Sequence, residues 1–248
     1  MQHLYEPFVG KNLSIANVQG MKKLVENLTE NAFLKKYTAK DLAYGKNLLS
    51  LKVALKFISN FLQKEISLIQ ENEKNSKLLL IKALEEELKA QVTVSLLVNK
   101  TATLKTINLK GKADRIDTLG GIIRIIDYKT GAIQKNEIEI KDFEQIILDP
   151  TIHKGFQLLM YAFMYKQSLL ESRDITLESG IITFRNLSAG LMHLKVDKSE
   201  VITTAVLDEF EEQLKLLLTE IYSPEIPFTQ TENLQNCNYC SYKAICNR

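Results

Sequence analysis

The chain has no tryptophan, four prolines, ten glycines and three histidines in 248 residues. So few breakers argue against a loop-rich or low-complexity chain and leave room for long regular elements. Its three cysteines all fall within the last twelve residues. An odd, clustered set does not fit the framework of a secreted disulfide scaffold. No segment has the long uncharged apolar run of a membrane helix. The start, Met1-Gln2-His3-Leu4-Tyr5-Glu6-Pro7-Phe8, lacks both the basic residues and the apolar stretch of a secretory signal. These absences point to an intracellular, cytoplasmic protein with no membrane partner. Charge of one sign is also missing, because 32 basic residues stand against 30 acidic ones. Any polyanion-binding surface must therefore come from local clustering of lysines. What is present is ordinary globular material, 45% hydrophobic and 25% charged, in a chain long enough to bury a full core as one domain.

Periodicity predicts helices first and a mixed region later. Residues 14–36 read as a helix of mixed charge. Residues 46–70 carry an apolar stripe at Leu51, Leu55, Ile58, Leu62 and Ile69, which is helical spacing. Strands are expected at 85–98 and 103–117, a hairpin turn at Gly120-Gly121, and a strand at 122–129. Residues 132–150 are polar and suit a loop. A helix over 152–170, strands at 179–186 and 190–196, and a long helix from Asp197 follow, with Glu200 as an N-terminal signal and Leu207, Phe210, Leu214, Leu217 and Ile221 as its stripe. No internal repeat is evident.

The chemistry concentrates in two segments, Gly111-Lys112-Ala113-Asp114-Arg115-Ile116-Asp117 and Ile125-Ile126-Asp127-Tyr128-Lys129-Thr130-Gly131. Asp127 and Lys129 are two residues apart, so in an extended chain they point to the same face. They end an apolar strand, where charge is costly unless it is paired or binds a metal. An isolated Asp-x-Lys is most often a structural ion pair. Here a second segment, Phe156-Gln157-Leu158-Leu159-Met160-Tyr161, follows on a predicted helix and puts Gln157 and Tyr161 on one face. Asp117 and Arg115 are read as a surface ion pair or packing partners, and Glu87 as a possible further acidic ligand.

Taken in order, Gly-x-x-Asp-Arg-Ile-Asp, Asp-Tyr-Lys-Thr-Gly and Gln-x-x-x-Tyr resemble the PD-(D/E)XK nuclease superfamily, most closely the RecB/AddB-type domain of bacterial helicase–nucleases. The resemblance covers roughly residues 80 to 248. It implies an α+β fold with a mixed central sheet flanked by helices, a restriction-endonuclease-like core with a helical N-terminal region. It also implies a Mg2+-dependent (or Mn2+-dependent) deoxyribonuclease of exonuclease type in DNA repair and recombination. Asp114 and Asp127 would be the carboxylate ligands, with the Tyr128 carbonyl as a third. Lys129 would orient the attacking water or stabilise charge on the phosphate, and Gln157 and Tyr161 would contact DNA. The expected divisions are 1–78 for the helical part, 79–230 for the nuclease core and 231–248 for a cysteine tail.

Cys237, Cys240 and Cys246 form a Cys-x2-Cys-x5-Cys run, and thiolates so close together suit a metal site or a cluster. AddB-type nucleases end in this spacing and bind a four-iron four-sulfur cluster whose fourth cysteine lies far upstream. This chain holds no fourth cysteine, and none of His3, His153 and His193 sits beside the tail in sequence. The family's early Gly-x-x-x-His motif is missing too, and His3 is read as a surface histidine. The expectation is a C-terminal portion of a longer protein, with a helicase–nuclease partner subunit, a cluster incomplete in this chain, and a tail that is poorly fixed or held only by packing of Leu234, Tyr239, Tyr242 and Ile245 against the body. Two other readings stay open. One is a catalytically silent nuclease-like module that binds DNA or a helicase. The other is a structural module in which the cysteines bind zinc and the Asp–Lys pair is only an ion pair.

Overall fold

A computed structural model of the chain describes residues 1–98, 101–169, 174–227, 229–238 and 240–247, with only the backbone at Gln235. Three helices lead, α1 (Gln2–Tyr5), α2 (Ile15–Leu34) and α3 (Gly45–Glu73). The strands β1 (Leu79–Val98), β2 (Thr101–Leu119) and β3 (Ile122–Lys129) follow. Then come β4 (Glu139–Ile140), α4 (Gln145–Leu148), α5 (His153–Ser168), β5 (Thr176–Thr183), β6 (Met192–His193), β7 (Lys195–Val196), β8 (Ile202–Thr203) and α6 (Thr204–Tyr222). Ser14 starts α2 with a reciprocal cap: its hydroxyl accepts from the Asn17 N–H at 3.2 Å, and Asn17 Oδ1 accepts from the Ser14 N–H at 3.0 Å.

The main sheet has six strands in the order β1-β2-β3-β5-β6, with β8 also on β5. All pairs are antiparallel except β3 with β5, which α5 connects as a crossover. Gly120 and Gly121 turn β2 into β3 with φ of 59° and 88°, the mirror-image turn that matches strand twist. Each face of the sheet carries its own core. On one side Ile116, Ile125 and Ile181 pack with Leu158, Phe163 and Phe210 of α5 and α6. On the other, Leu79 and Ile81 pack with Tyr5, Val18, Phe61 and Leu62 of the leading helices. This is the mixed sheet flanked by helices that the sequence predicts.

Several boundaries differ from expectation. The last long helix does not begin near Asp197, because Asp197 and Lys198 take positive φ and turn the chain into β8. Thr203 is the cap instead, its hydroxyl accepting from the Val206 N–H. The buried stripe of α6 is Leu207, Phe210, Leu214 and Leu218 rather than Leu217, and Ile221 is 49% exposed. Residues 132–150 hold a short 3-10 turn, β4 and α4 rather than a plain loop. Of the two expectations for the tail, packing against the body is not seen at Leu234, Tyr242 and Ile245, which are exposed, and Tyr239 lies outside the described residues.

Arg115 and Asp117 are an ion pair, but a buried one. Arg115 Nη1 is 2.7 Å from Glu65 of α3, and its Nε is 2.6 Å from Asp117. Arg124 reaches Asp117 with Nε at 2.7 Å and Nη2 at 3.0 Å. The Tyr5 ring covers the Arg115 guanidinium at 5.0 Å. All four charged residues are at most 5% exposed. Two cations and two anions balance, which is what makes their burial tolerable. Arg115→Ala strands two buried carboxylates against one cation. The expected loss is about 3–5 kcal/mol of unfolding free energy, a fall in Tm of roughly 6–20 °C for a chain of this size. Lys110→Ala, on the exposed face, should stay within about 0.5 kcal/mol. Denaturant titration of the two variants checks both values, and an Arg115→Ala loss no larger than that of Lys110→Ala would remove the network from the list of structural determinants.

Candidate active site

The antiparallel register of β2 and β3 runs from Leu119↔Ile122 to Arg115↔Ile126. Just past the end of that pairing, Asp114 and Asp127 lie close enough to each other and to Tyr161 of α5 for their charges to interact. Asp114 is fixed by the backbone: its Oδ2 accepts from the Tyr128 N–H at 2.7 Å. Asp127 is 4% exposed. The Lys129 ammonium pairs with Asp127 Oδ2 at 2.9 Å. Lys129 also donates to Gln157 Oε1 at 3.2 Å, and Gln157 Nε2 donates to the Tyr161 hydroxyl at 2.8 Å. The five side chains singled out in the sequence thus form one contiguous patch. Tyr128 differs, since its ring packs on the opposite face against Phe61 and Phe184 and only its backbone reaches the patch.

Close helix–strand approach makes this possible. A Cβ at Gly111 would lie 2.5 Å from Met164 Cε and 3.2 Å from the Tyr161 ring. The glycine therefore lets α5 settle onto β2 with Gln157 over Lys129.

Burial raises the pKa of Asp127 against the lowering effect of Lys129. Burial also raises that of Asp114, opposed by the Tyr128 N–H and helped by the charges of Asp127 and Glu85. Each carboxylate is thus harder to ionise than in water, which is the state an approaching cation relieves. Burial likewise pushes the Tyr161 phenol up, so it stays a neutral hydroxyl.

Glu85 is the residue that sequence reasoning missed. The β1–β2 register shifts between Ile81 and Ala83, and Leu84↔Arg115 and Glu86↔Ala113 then place Glu85 opposite Asp114. Glu85 takes φ of 51°, a left-handed conformation unfavourable for a side chain with a Cβ, and pairs with Lys112 at 2.7 Å. Glu87, the expected acid, instead points to solvent beside Lys89 at 4.0 Å. The signal was the run Glu85-Glu86-Glu87, but regular alternation cannot reveal a register shift.

A divalent cation such as Mg2+ accepts two carboxylates, a carbonyl and several waters. The donor set of Asp114, Asp127 and the Tyr128 backbone has that chemistry, and two half-buried to buried carboxylates whose pKa values burial raises fit it. Among the described residues no three His, Cys, Asp or Glu side chains form a metal-holding group, and this includes the tail, where Cys237, Cys240 and Cys246 are free thiols. The histidines are engaged elsewhere: His3 near Glu6 at 3.4 Å, His153 with the Pro150 carbonyl at 3.0 Å, and His193 near Glu178 at 3.5 Å. As they stand, the tail thiols do not fit an assembled cluster.

Among solved structures, the crystal structure of protein VC1899 from Vibrio cholerae aligns at 12% identity with a TM-score of 0.23, over 89% of this chain and 55% of that chain. The chain spans about half the length of that protein, and likeness at this level carries no argument. No curated protein sequence matches the chain. The family model of the PD-(D/E)XK nuclease superfamily matches residues 1–247. A match over nearly the whole length, on a six-stranded mixed sheet flanked by helices as in restriction-endonuclease-like folds, establishes that the chain belongs to the PD-(D/E)XK nuclease superfamily.

Proposed function

We propose that the chain is a divalent-metal-dependent DNA nuclease that hydrolyses phosphodiester bonds at Asp114, Asp127 and Lys129, of the AddB-like helicase–nuclease kind that serves DNA repair and recombination. The observation that carries this is the buried Asp127 carboxylate set beside Asp114, with the Lys129 ammonium 2.9 Å from its Oδ2. A Mg2+ or Mn2+ ion held by Asp114, Asp127 and the Tyr128 carbonyl would supply charge neutralisation on the phosphate and a more acidic bound water. The chain's own groups divide the remaining work. Lys129, between Asp127 and Gln157, brings a cation to the phosphate oxygens and positions the nucleophile. Gln157 uses its carbonyl on Lys129 and its amide on Tyr161, which fixes both. The Tyr161 oxygen accepts from Gln157, so its proton is available to an anionic DNA oxygen.

Asp127→Ala and Lys129→Ala should each reduce Mg2+-dependent cleavage of plasmid and single-stranded DNA at least a hundredfold with circular dichroism unchanged. Metal-charge stabilisation is worth several kcal/mol, and about 1.4 kcal/mol is tenfold in rate. Native-like cleavage by either variant would refute the assignment. Cleavage absent from the native chain, with DNA binding retained, would favour the silent-module reading.

Stability gives a second, metal-free check. The folded pKa of Asp127 is raised, so its ionisation opposes folding once pH exceeds the unfolded carboxylate value of about 3.9. The opposition grows as pH rises through the folded pKa and is complete above it. Asp127→Asn should therefore be more stable than the native chain in chelator near pH 7, with the difference shrinking as pH falls through the raised folded pKa and vanishing below about 4. Denaturant midpoints measured across that range should trace this convergence. A variant less stable at pH 7 would mean that Lys129 more than offsets the burial.

The cysteine tail is proposed to be a cluster-binding segment. Its support is the Cys237-Cys240-Cys246 spacing and its resemblance to AddB-type tails, and it needs a fourth ligand beyond these three thiolates. An N-terminally extended protein purified anaerobically should carry iron and sulfide with a visible absorbance band. Well-folded protein binding neither iron nor zinc would refute the segment's role.

A further inference from the structure

The net charge of +2 hides a strong asymmetry. Residues 31–64 hold seven lysines (35, 36, 40, 46, 52, 56 and 64) and one acid, Asp41, a net +6; the rest of the chain, with 25 basic and 29 acidic residues, carries −4. Asp41 is already used, accepting from the Thr38 hydroxyl at 2.7 Å. Among the described residues none of the seven lysines pairs with a carboxylate, and all are exposed. Aromatic side chains interleave with them: Tyr37 is 39% exposed and Tyr44 68%.

The basic stretch leads to an apolar groove. Along α3, Lys46, Leu49, Val53 and Phe57 recur at helical spacing on one face, and with Thr130 and Phe184 they line a groove of about 490 Å3. Lys52 and Lys56 flank that face one step around the helix. Within the groove Phe57 and Phe184 stack, with centroids 6.1 Å apart and planes 15° apart. The groove also adjoins the site directly. Thr130 follows Lys129 in the chain, and the Phe184 N–H donates to the Lys129 carbonyl at 2.9 Å.

We infer that this face is a track for an unpaired DNA strand, with phosphates on Lys46, Lys52 and Lys56 and bases packed against Tyr44 and the Phe57–Phe184 groove, delivering the strand to the Lys129 end of β3. The inference rests on the nuclease reading and adds the substrate class and the path. Charge complementarity selects a polyanion over an acid-poor surface. Apolar aromatic surface selects free base faces, which a duplex conceals in its stack. Lysine heads with aromatic steps between them are the general solution for holding a single strand without reading its sequence.

The test is fluorescence anisotropy of the full chain in chelator, which prevents cleavage, with labelled dT20, the corresponding dA–dT duplex and U20 over a range of salt. The expected result is tighter binding of dT20 than of the duplex. Lys46→Glu/Lys52→Glu/Lys56→Glu should weaken dT20 binding at least tenfold and flatten the slope of log K against log salt by about 2, since each lost single-strand phosphate contact removes roughly 0.7. Tyr44→Ala should weaken it by roughly fivefold or more, as loss of one stacked base does. A charge-matched control, Lys23→Glu/Lys74→Glu/Lys110→Glu, should keep the slope and lose far less affinity. Binding of U20 tighter than dT20 would overturn the assignment to DNA. Unchanged dT20 binding in the α3 variant, or an equal loss in the control, would overturn the track itself. Parallel Mg2+-dependent cleavage assays separate the two readings. An unaffected α3 variant in a chain whose cleavage still needs Asp127 refutes the track and leaves the nuclease standing. Lysine-dependent binding with no cleavage by the native chain supports the track and refutes the nuclease.

Discussion

The register of β2 on β3 governs everything else in this molecule. A slip of one residue turns each strand's side chains to the other face. Asp114 would then leave Asp127, and Arg115 would enter the α5 core as an unpaired cation. Asp117 pairs with Arg124 across the same two strands, and their side chains form a two-bond contact buried on the opposite face. Breaking it on slippage would strand buried charge, which is far costlier than losing an exposed pair. The ion network under the leading helices thus holds the acidic pair in place on the far side of the sheet. The Gly120-Gly121 turn sets the same register from the strand ends.

Two demands meet at Asp127. The apolar strand that carries it stabilises the fold through Ile125 and Ile126, both essentially buried, and that burial makes the adjacent carboxylate expensive to ionise. Lys129 offsets part of the expense without fully satisfying the oxygen, because its ammonium is shared with Gln157. A carboxylate completely satisfied by protein donors would have little left to offer a cation. The geometry therefore reads as a compromise between folding without metal and binding it.

Much of this was legible in the sequence because it rests on short-range rules. Asp127 and Lys129 share a strand face, Gln157 and Tyr161 share a helix turn, and paired glycines mark the hairpin; each needs only a known period. What escaped depends on departures from period. Glu85 stands opposite Asp114 only because a register shift displaces it, which the expectation of Glu87 from the same strand does not take into account. The start of α6 was misplaced because Asp197 and Lys198 adopt a turn conformation that propensity does not announce. The burial of Arg115 and Asp117 was hidden for a different reason: charged residues read as surface unless their partners are known, and Glu65 lies some fifty residues away. The tail residues are apolar enough to suggest packing, yet Leu234, Tyr242 and Ile245 face solvent.

The irregularity near Glu85 also bears on how the molecule keeps to itself. β1 borders the sheet, and a border strand of 20 residues is a long template on which another chain could lay itself. Its first residues are already covered, since Gly10 and Leu13 donate to the Ile81 and Leu79 carbonyls at 2.7 Å. Beyond them the shifted register and the left-handed Glu85 interrupt the row of outward amides, and Glu86, Glu87 and Lys89 add charge along it. An arriving strand therefore meets no uncharged run in the first half of β1, and only residues 90–98 are free of charge. The same displaced glutamate that stands opposite Asp114 shortens the surface on which copies of this chain could aggregate.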